Sequence, residues 1–250
     1  MTTPDERREH IVSTDPSANS PVARDVGVVI VAGGSGTRTG SDELKQFRWI
    51  AGKPMLLHSV QTFQHRADVA MVVVVLPKRY AGDPPPWLFQ SDLDRLLVSV
   101  GGRERGDSVR HGLEDLPSEV RIVVIHDAAR PLVTDATIEG VIAAARTGVG
   151  AVAALPVVDT LKRVDDTGRI VETVNRAELW RAQTPQAFPR ELIEHAYREA
   201  REQNVSATDD AALCERLGLP VVVVPGSERA MKITTEPDFA RADALSLLPE

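Results

Sequence analysis

A chain of 250 residues is long enough for one large α/β domain or two small ones. Its 42% hydrophobic and 26% charged content is ordinary for a globular protein, and a net charge of -7 leaves no overall basic surface for nucleic acid. An anionic substrate would have to be met by cations gathered locally, and the lone Cys214 excludes an intrachain disulfide, which fits the reducing cytoplasm.

Residues 1–24 are polar, with Pro4, Pro16 and Pro21 among charges, and lack the apolar core of a signal peptide. They read as a flexible tail before one domain over 25–250. Deleting the tail is expected to leave folding and activity nearly unchanged; an insoluble or inactive truncated protein would place it in the core or the site. No stretch is long and apolar enough to span a membrane, so no membrane partner is expected.

The apolar run 26–31 ends in Ala32-Gly33-Gly34-Ser35-Gly36, a buried strand entering a glycine loop. Pro54 opens a helix with Leu56, Val60 and Phe63 on one face. Residues 70–76 and 96–100 are further strands, with a surface loop over 78–94 between them. After Gly101-Gly102, Asp107 can cap a short helix carrying Val109 and Leu113. Residues 122–125 form a strand ending at His126-Asp127, Ile138, Val141, Ile142 and Ala145 mark a helix, and 152–157 form a strand. Residues 159–174 hold two β-prone arms around Asp165-Asp166-Thr167-Gly168 and predict a projecting hairpin, an arm over about 159–175. Helices follow over 191–200 and 208–217, the second stopped by Gly218, and a strand over 221–224. The alternation predicts a Rossmann-like, mostly parallel sheet with helices on both faces. Ligands then bind beyond the carboxyl ends of the strands, where the polar motifs should converge.

Glycines let backbone N–H groups approach phosphate oxygens. The dinucleotide fingerprint fails, because its third glycine falls at Thr39 and no acidic residue follows at the ribose distance. The P-loop fails, because Gly52-Lys53 is followed by Pro54. What remains is a glycine loop with Arg38 and Lys45 close behind. It suits a triphosphate, or a tight turn with two solvated cations.

Further strings decide between these: Gly101-Gly102-Arg103-Glu104-Arg105-Gly106-Asp107-Ser108-Val109, His126-Asp127-Ala128-Ala129-Arg130-Pro131, Asp159-Thr160-Leu161-Lys162, Thr184-Pro185-Gln186 and Met231-Lys232-Ile233-Thr234. With the glycine loop, they resemble the 2-C-methyl-D-erythritol 4-phosphate cytidylyltransferase family from about Val26 onward. The resemblance implies attack of a polyol phosphate on the α-phosphorus of CTP with release of pyrophosphate, and Mg²⁺ or another divalent cation as cofactor. It implies that Arg38 and Lys45 are catalytic. Ala32, Gly33, Gly34, Ser35, Gly36, Gly102, Ser108, Asp127 and Ala128 would bind CTP, with Asp127 near the metal, through water. Arg130, Thr160, Arg176, Thr208 and Lys232 would bind the acceptor. The hairpin would cross to a second subunit, making a homodimer in which Thr160 and Arg176 complete the neighbour's site. Two positions depart from the family pattern: Leu44 stands where proline is usual, and Arg103 where an acidic residue occurs.

Other readings of these residues stand beside this one. The same chemistry on ribitol 5-phosphate, a UTP-dependent pyrophosphorylase and a nucleotide-binding regulator are the rivals. Asp127 and Arg130 could be a structural ion pair. His126 reads as a packing or backbone-bonding residue, since a phosphate nucleophile needs no general base. His58, His65, His111 and His195 lack zinc-ligand spacing. Asp209-Asp210 reads as acids in the first turn of a helix capped by Thr208, rather than as metal ligands. Cys214 reads as a buried packing residue.

Overall fold

A computed structural model of the chain describes residues 23–33 and 44–249. A seven-stranded sheet forms its centre. The strands are β1 (Val26–Val31), β4 (Val69–Leu76), β5 (Leu96–Val100), β6 (Ile122–Asp127), β7 (Gly150–Pro156), β10 (Trp180–Pro189) and β11 (Val221–Pro225). Their order is β11-β7-β10-β6-β1-β4-β5. All neighbours are parallel except β10, which lies antiparallel between β6 and β7.

The apolar runs are two-sided because both faces are covered. Val28 and Ile30 of β1 and Val72 and Val74 of β4 face one core cluster. The helices α1 (Met55–Gln64) and α4 (Asp135–Arg146) cover it with Leu56, Val60, Phe63, Ile138, Val141 and Ile142. Val29, Val73 and Val75 face the other way, beneath α3 (Arg105–Glu114), α5 (Arg190–Glu202) and α6 (Asp210–Arg216). Cys214 of α6 is buried there, and burial pushes its thiol up to about 12, so it packs as an uncharged group.

The tail expected over 1–24 falls almost wholly on residues outside those described. The expected hairpin is β8 (Leu161–Val164) with β9 (Ile170–Val174), a two-stranded sheet separate from the central one. Several local expectations need correction. The α3 helix starts at Arg105, its N-cap is Glu104, and Asp107 is the N3 partner of a capping box. The N-cap of α6 is Asp209, whose side chain accepts from the Ala212 N–H at 3.0 Å, so exposed Thr208 is not the cap. The segment 78–94 is not all surface loop: it contains α2 (Lys78–Ala81), and Leu88 is fully buried. Tyr80 and Trp87 meet the Phe47 ring edge-on, at centroid distances of 4.8 and 5.4 Å.

Further features have no counterpart in the sequence reading. One is β10. The second is a short hairpin of β2 (Trp49–Ile50) and β3 (Lys53–Pro54). The third is α7 (Glu236–Ser246), whose Phe239 and Ala242 pack on Ile50, Met55 and Ile233. Arg48 fastens this layer, with its guanidinium 3.8 Å from the Phe239 ring centre and bidentate to Glu236 at 2.6 and 2.7 Å. The layer holds residues 231–234 against the carboxyl edge of the sheet.

Candidate active site

The parallel register brings the carboxyl ends of β1, β4 and β6 together, pairing Val31 with both Val75 and Asp127. The chain leaves these ends through backbone hydrogen bonds to neighbouring strands. The Ala32 N–H donates to the Val75 carbonyl at 3.0 Å, Ala128 to Val31 at 3.1 Å, and Gly101 to Leu76 at 2.7 Å. Three motifs distant in sequence therefore open on one edge.

Ala32 and Gly33 begin the glycine loop; Gly34, Ser35, Gly36 and Arg38 lie outside the described residues. A Cβ on Gly33 would come within 3.3 Å of the Ser108 hydroxyl, and one on Gly102 within 2.1 Å of the Asp107 Cβ. Only glycine fits at Gly102. The Gly102 N–H donates to Ser108 Oγ at 3.1 Å, and that hydroxyl donates to the Glu104 carbonyl at 3.2 Å. Gly33, Gly102 and Ser108 thus form one wall.

Asp127 closes β6 and is 8% exposed. Lys232 Nζ donates to its Oδ2 at 2.7 Å, and Arg105 Nε lies 3.5 Å from its Oδ1. Burial would raise the carboxyl, but the charges of Arg105 and Lys232 outweigh burial and hold it at about 2. Asp127 is ionised at any working pH. Its partner is not Arg130: that side chain donates to the Ala230 carbonyl at 2.7 Å, and among the described residues no ion pair joins Arg130 to Asp127.

Residues 230–233 tie the cations to this carboxylate. The Ile233 N–H donates to the Ala129 carbonyl at 2.8 Å, and Lys45 Nζ donates to the Ile233 carbonyl at 2.6 Å. Gln46 beside it donates from Nε2 to the Ala32 carbonyl, joining this segment to the start of the glycine loop. Lys232 lies in residues 231–234, which belong to no helix or strand. Lys45, Asp127, Ala128, Arg130 and Lys232 therefore share one scaffold.

Thr160 and Arg176 lie elsewhere, at the base of the hairpin, and both are exposed. Arg176 donates to the Val158 carbonyl, and among the described residues no bond joins it to Lys232.

His126 acts on backbone, as its context suggested. Its Nε2 donates to the Arg130 carbonyl at 3.1 Å, and its Nδ1 lies 3.3 Å from the Thr184 hydroxyl, which accepts from the Asp127 N–H at 3.0 Å. The ring is fully buried, and burial lowers its pKa to about 4, so it works neutral. The unfolded ring takes a proton near 6.5 and the folded one near 4, so stability is full above pH 6.5 and falls between 6.5 and 4. That interval corresponds to about 3 kcal/mol. His126→Gln is expected to be less stable at pH 7 but to lose stability less steeply down to pH 4. Urea unfolding of both proteins at several pH values checks this, and parallel slopes would contradict it.

Two groups here were missed by sequence reasoning. Arg105 is bidentate to Asp210, at 2.9 and 2.7 Å, and the Tyr197 hydroxyl donates to Asp210 Oδ1 at 2.5 Å. Burial works against the charge of Arg105, but Asp210 more than restores it. Asp210 is thus committed to Arg105 rather than to a metal. Among the described residues no group of three or more His, Cys, Asp or Glu could hold a metal by itself. A lone ionised Asp127 still fits Mg²⁺ that arrives on a nucleotide, because that ion commonly takes one or two carboxylates plus substrate phosphates.

The chain is similar in sequence and fold to known proteins. The family model of 2-C-methyl-D-erythritol 4-phosphate cytidylyltransferase matches residues 26–247. The enzyme of that name from Syntrophus aciditrophicus is 43% identical over 219 residues, covering 86% of this chain and 93% of the relative. One from Salinibacter ruber is also 43% identical over 219 residues, covering 87% and 91%. The crystal structure of the Thermus thermophilus enzyme superposes with a TM-score of 0.76 at 33% identity, covering 90% of this chain and all of that one. With most of its length matched in sequence and in fold, the chain belongs to the 2-C-methyl-D-erythritol 4-phosphate cytidylyltransferase family.

Proposed function

We propose that this chain transfers a cytidylyl group from CTP to 2-C-methyl-D-erythritol 4-phosphate, a step of non-mevalonate isoprenoid precursor synthesis in the cytoplasm. The carrying observation is that Lys45, Asp127, Arg130 and Lys232, from three separate motifs of the matched family, meet on one edge of the sheet.

An oxygen of the acceptor phosphate attacks the α-phosphorus of CTP. A new P–O bond forms, the bond from the α-phosphorus to the bridging oxygen breaks, and pyrophosphate leaves with the electron pair. The nucleophile is already anionic, so no side chain need remove a proton. Charge grows on the phosphoryl oxygens and the leaving group, and preorganised cations are the main source of acceleration. Lys45 and Arg38 take that role, and Gly33, Gly34, Ser35 and Gly36 line the triphosphate. Gly102 and Ser108 take the cytidine, and Ala32 and Ala128 close on it from the strand ends. Asp127 would hold Mg²⁺, directly or through water, and the ion would there supply neutralisation of phosphate charge. Arg130 and Lys232 face the acceptor, with Thr160, Arg176 and Thr208 completing its grip.

Thr160 and Arg176 reach an acceptor by way of a homodimer through the hairpin. Val158, Val164, Ile170 and Val171 are more than half exposed on and beside that arm, an apolar surface that a second copy would cover. Light scattering should give a dimer at micromolar concentration. Mixing Lys45→Ala with Arg176→Ala should restore activity, because a mixed dimer carries one intact site. A fully active monomer, or no recovery on mixing, would contradict the shared site.

The test of function is pyrophosphate release from CTP and Mg²⁺ with a panel of polyol phosphates. Release with 2-C-methyl-D-erythritol 4-phosphate well above that with ribitol 5-phosphate is expected. Preference for ribitol 5-phosphate would move the enzyme to the other acceptor, and CTP binding without release would make it a regulator.

A further inference from the structure

Asp210 is a fully buried carboxylate on the first turn of α6. A buried charge of this kind costs several kcal/mol unless it is paired and hydrogen-bonded. Its two oxygens take both Nη atoms of Arg105, and Tyr197 adds a third donor. This fixes the plane of the guanidinium, whose remaining Nε faces Asp127 at 3.5 Å. Arg105 sits in the first turn of α3, so its backbone is held by the capping box as well. The other carboxylate of the pair, Asp209, is also engaged: it accepts from the Gln186 side chain at 2.9 Å while capping α6. The start of α6 is thus tied to β10 and α3 and cannot drift independently of the sheet edge.

Among the described residues Asp127 is ion-paired with two cations of different kinds. Lys232 is a flexible stem whose side chain is 46% exposed, and Arg105 is a planar fork anchored from behind. An anchored cation can set the direction of a carboxylate, whereas a flexible one follows it. We propose that Arg105 is a positioning residue: held by Asp210 and Tyr197, it orients the Asp127 carboxylate for the nucleotide and its metal. This rests on the proposed place of Asp127 at the CTP site. The network contributes to nucleotide binding through Asp127 and leaves the acceptor grip to other groups.

Calorimetric titration of the full chain with CTP and Mg²⁺, without acceptor, tests it. Arg105→Gln should weaken CTP binding tenfold or more, and Arg105→Lys should recover only part of that loss, because an ammonium cannot span both carboxylates. Tyr197→Phe removes one hydroxyl and should weaken CTP binding two- to fivefold in a folded protein. The Michaelis constant for the acceptor should stay within twofold in Tyr197→Phe. Against an Asp127→Asn background the Arg105→Gln loss should shrink below twofold. A lower melting temperature with unchanged CTP affinity in Tyr197→Phe would leave the network purely structural and overturn the proposal. A tenfold loss that persists in the Asp127→Asn background would overturn it too, by giving Arg105 a direct contact with the nucleotide. Failure of the unaltered chain to bind CTP would instead remove the functional reading beneath it.

Discussion

Lys45→Ala is expected to lower the maximal rate by tenfold to a hundredfold while leaving the acceptor Michaelis constant close to its starting value. The lysine is held at the mouth of the site by the Ile233 carbonyl at 2.6 Å, one residue from Lys232. Its neighbour Gln46 bonds the Ala32 carbonyl, so the ammonium stands where the glycine loop begins. A charge-assisted contact with the nucleotide is worth about 1.5–3 kcal/mol, which gives the expected range. The loss falls on the rate because the phosphoryl charge is larger in the transition state than in bound CTP. Arg38, proposed for the same step, should behave alike. Steady-state kinetics with each substrate varied in turn decide this, and a normal maximal rate with weaker acceptor binding would refute the role.

Asp127→Asn is expected to lower kcat/KM by about a hundredfold. Removing one partner of a buried ion pair typically costs about 3–5 kcal/mol, and partial exposure of Lys232 discounts that here. The change leaves Arg105 and Lys232 facing each other without the intervening charge. It also removes the carboxylate proposed to hold the metal, so the Mg²⁺ concentration for half-maximal rate should rise. The folded carboxyl lies at about 2, below its ordinary 3.8, so the pair stabilises the fold fully above pH 3.8. That contribution is lost only as pH falls through about 2. A decline in activity between pH 7 and 5 that is the same in both proteins therefore does not come from Asp127. Unchanged Mg²⁺ dependence in Asp127→Asn would contradict its place beside the metal.

Lys232 illustrates how far sequence could reach. The resemblance of residues 231–234 to the family's motif implied a place for it in the site, but its partner Asp127 lies 105 residues away and no local pattern announces it. The same holds for Arg105 and Asp210. Arg105 was one basic residue in a basic-acidic string, and Asp210 looked like an acid favouring a helix N-terminus. Only the sheet and the covering of α3 by α5 and α6 bring them together.

The strands β1, β4 and β6 were legible because each is built on an apolar run, residues 122–125 in β6 before His126 and Asp127, the mark of a strand buried on both faces. The helices α1 and α4 were legible from their apolar spacing. The strand β10 was not, because it contains Arg181, Gln183, Thr184, Pro185, Gln186 and Pro189, a composition that argues against a central strand. Its buried polar groups are tolerated because each has a partner. Gln183 bonds Ser227, Thr184 accepts from the Asp127 N–H, and Gln186 bonds Asp209 and the Ala211 N–H. These contacts are what make β10 part of the site rather than only of the sheet. The α7 helix was missed because only Asp238, Phe239 and Ala242 of its residues are buried, too short a stripe to mark a period.

Phosphorus NMR of a reaction containing the chain, CTP, Mg²⁺ and 2-C-methyl-D-erythritol 4-phosphate tests the central claim most directly. The account predicts two mutually coupled resonances of a new diphosphate diester, growing together with the singlet of free pyrophosphate and only when the acceptor is present. Unreacted CTP, or its hydrolysis to CMP or CDP without a diester, would contradict it.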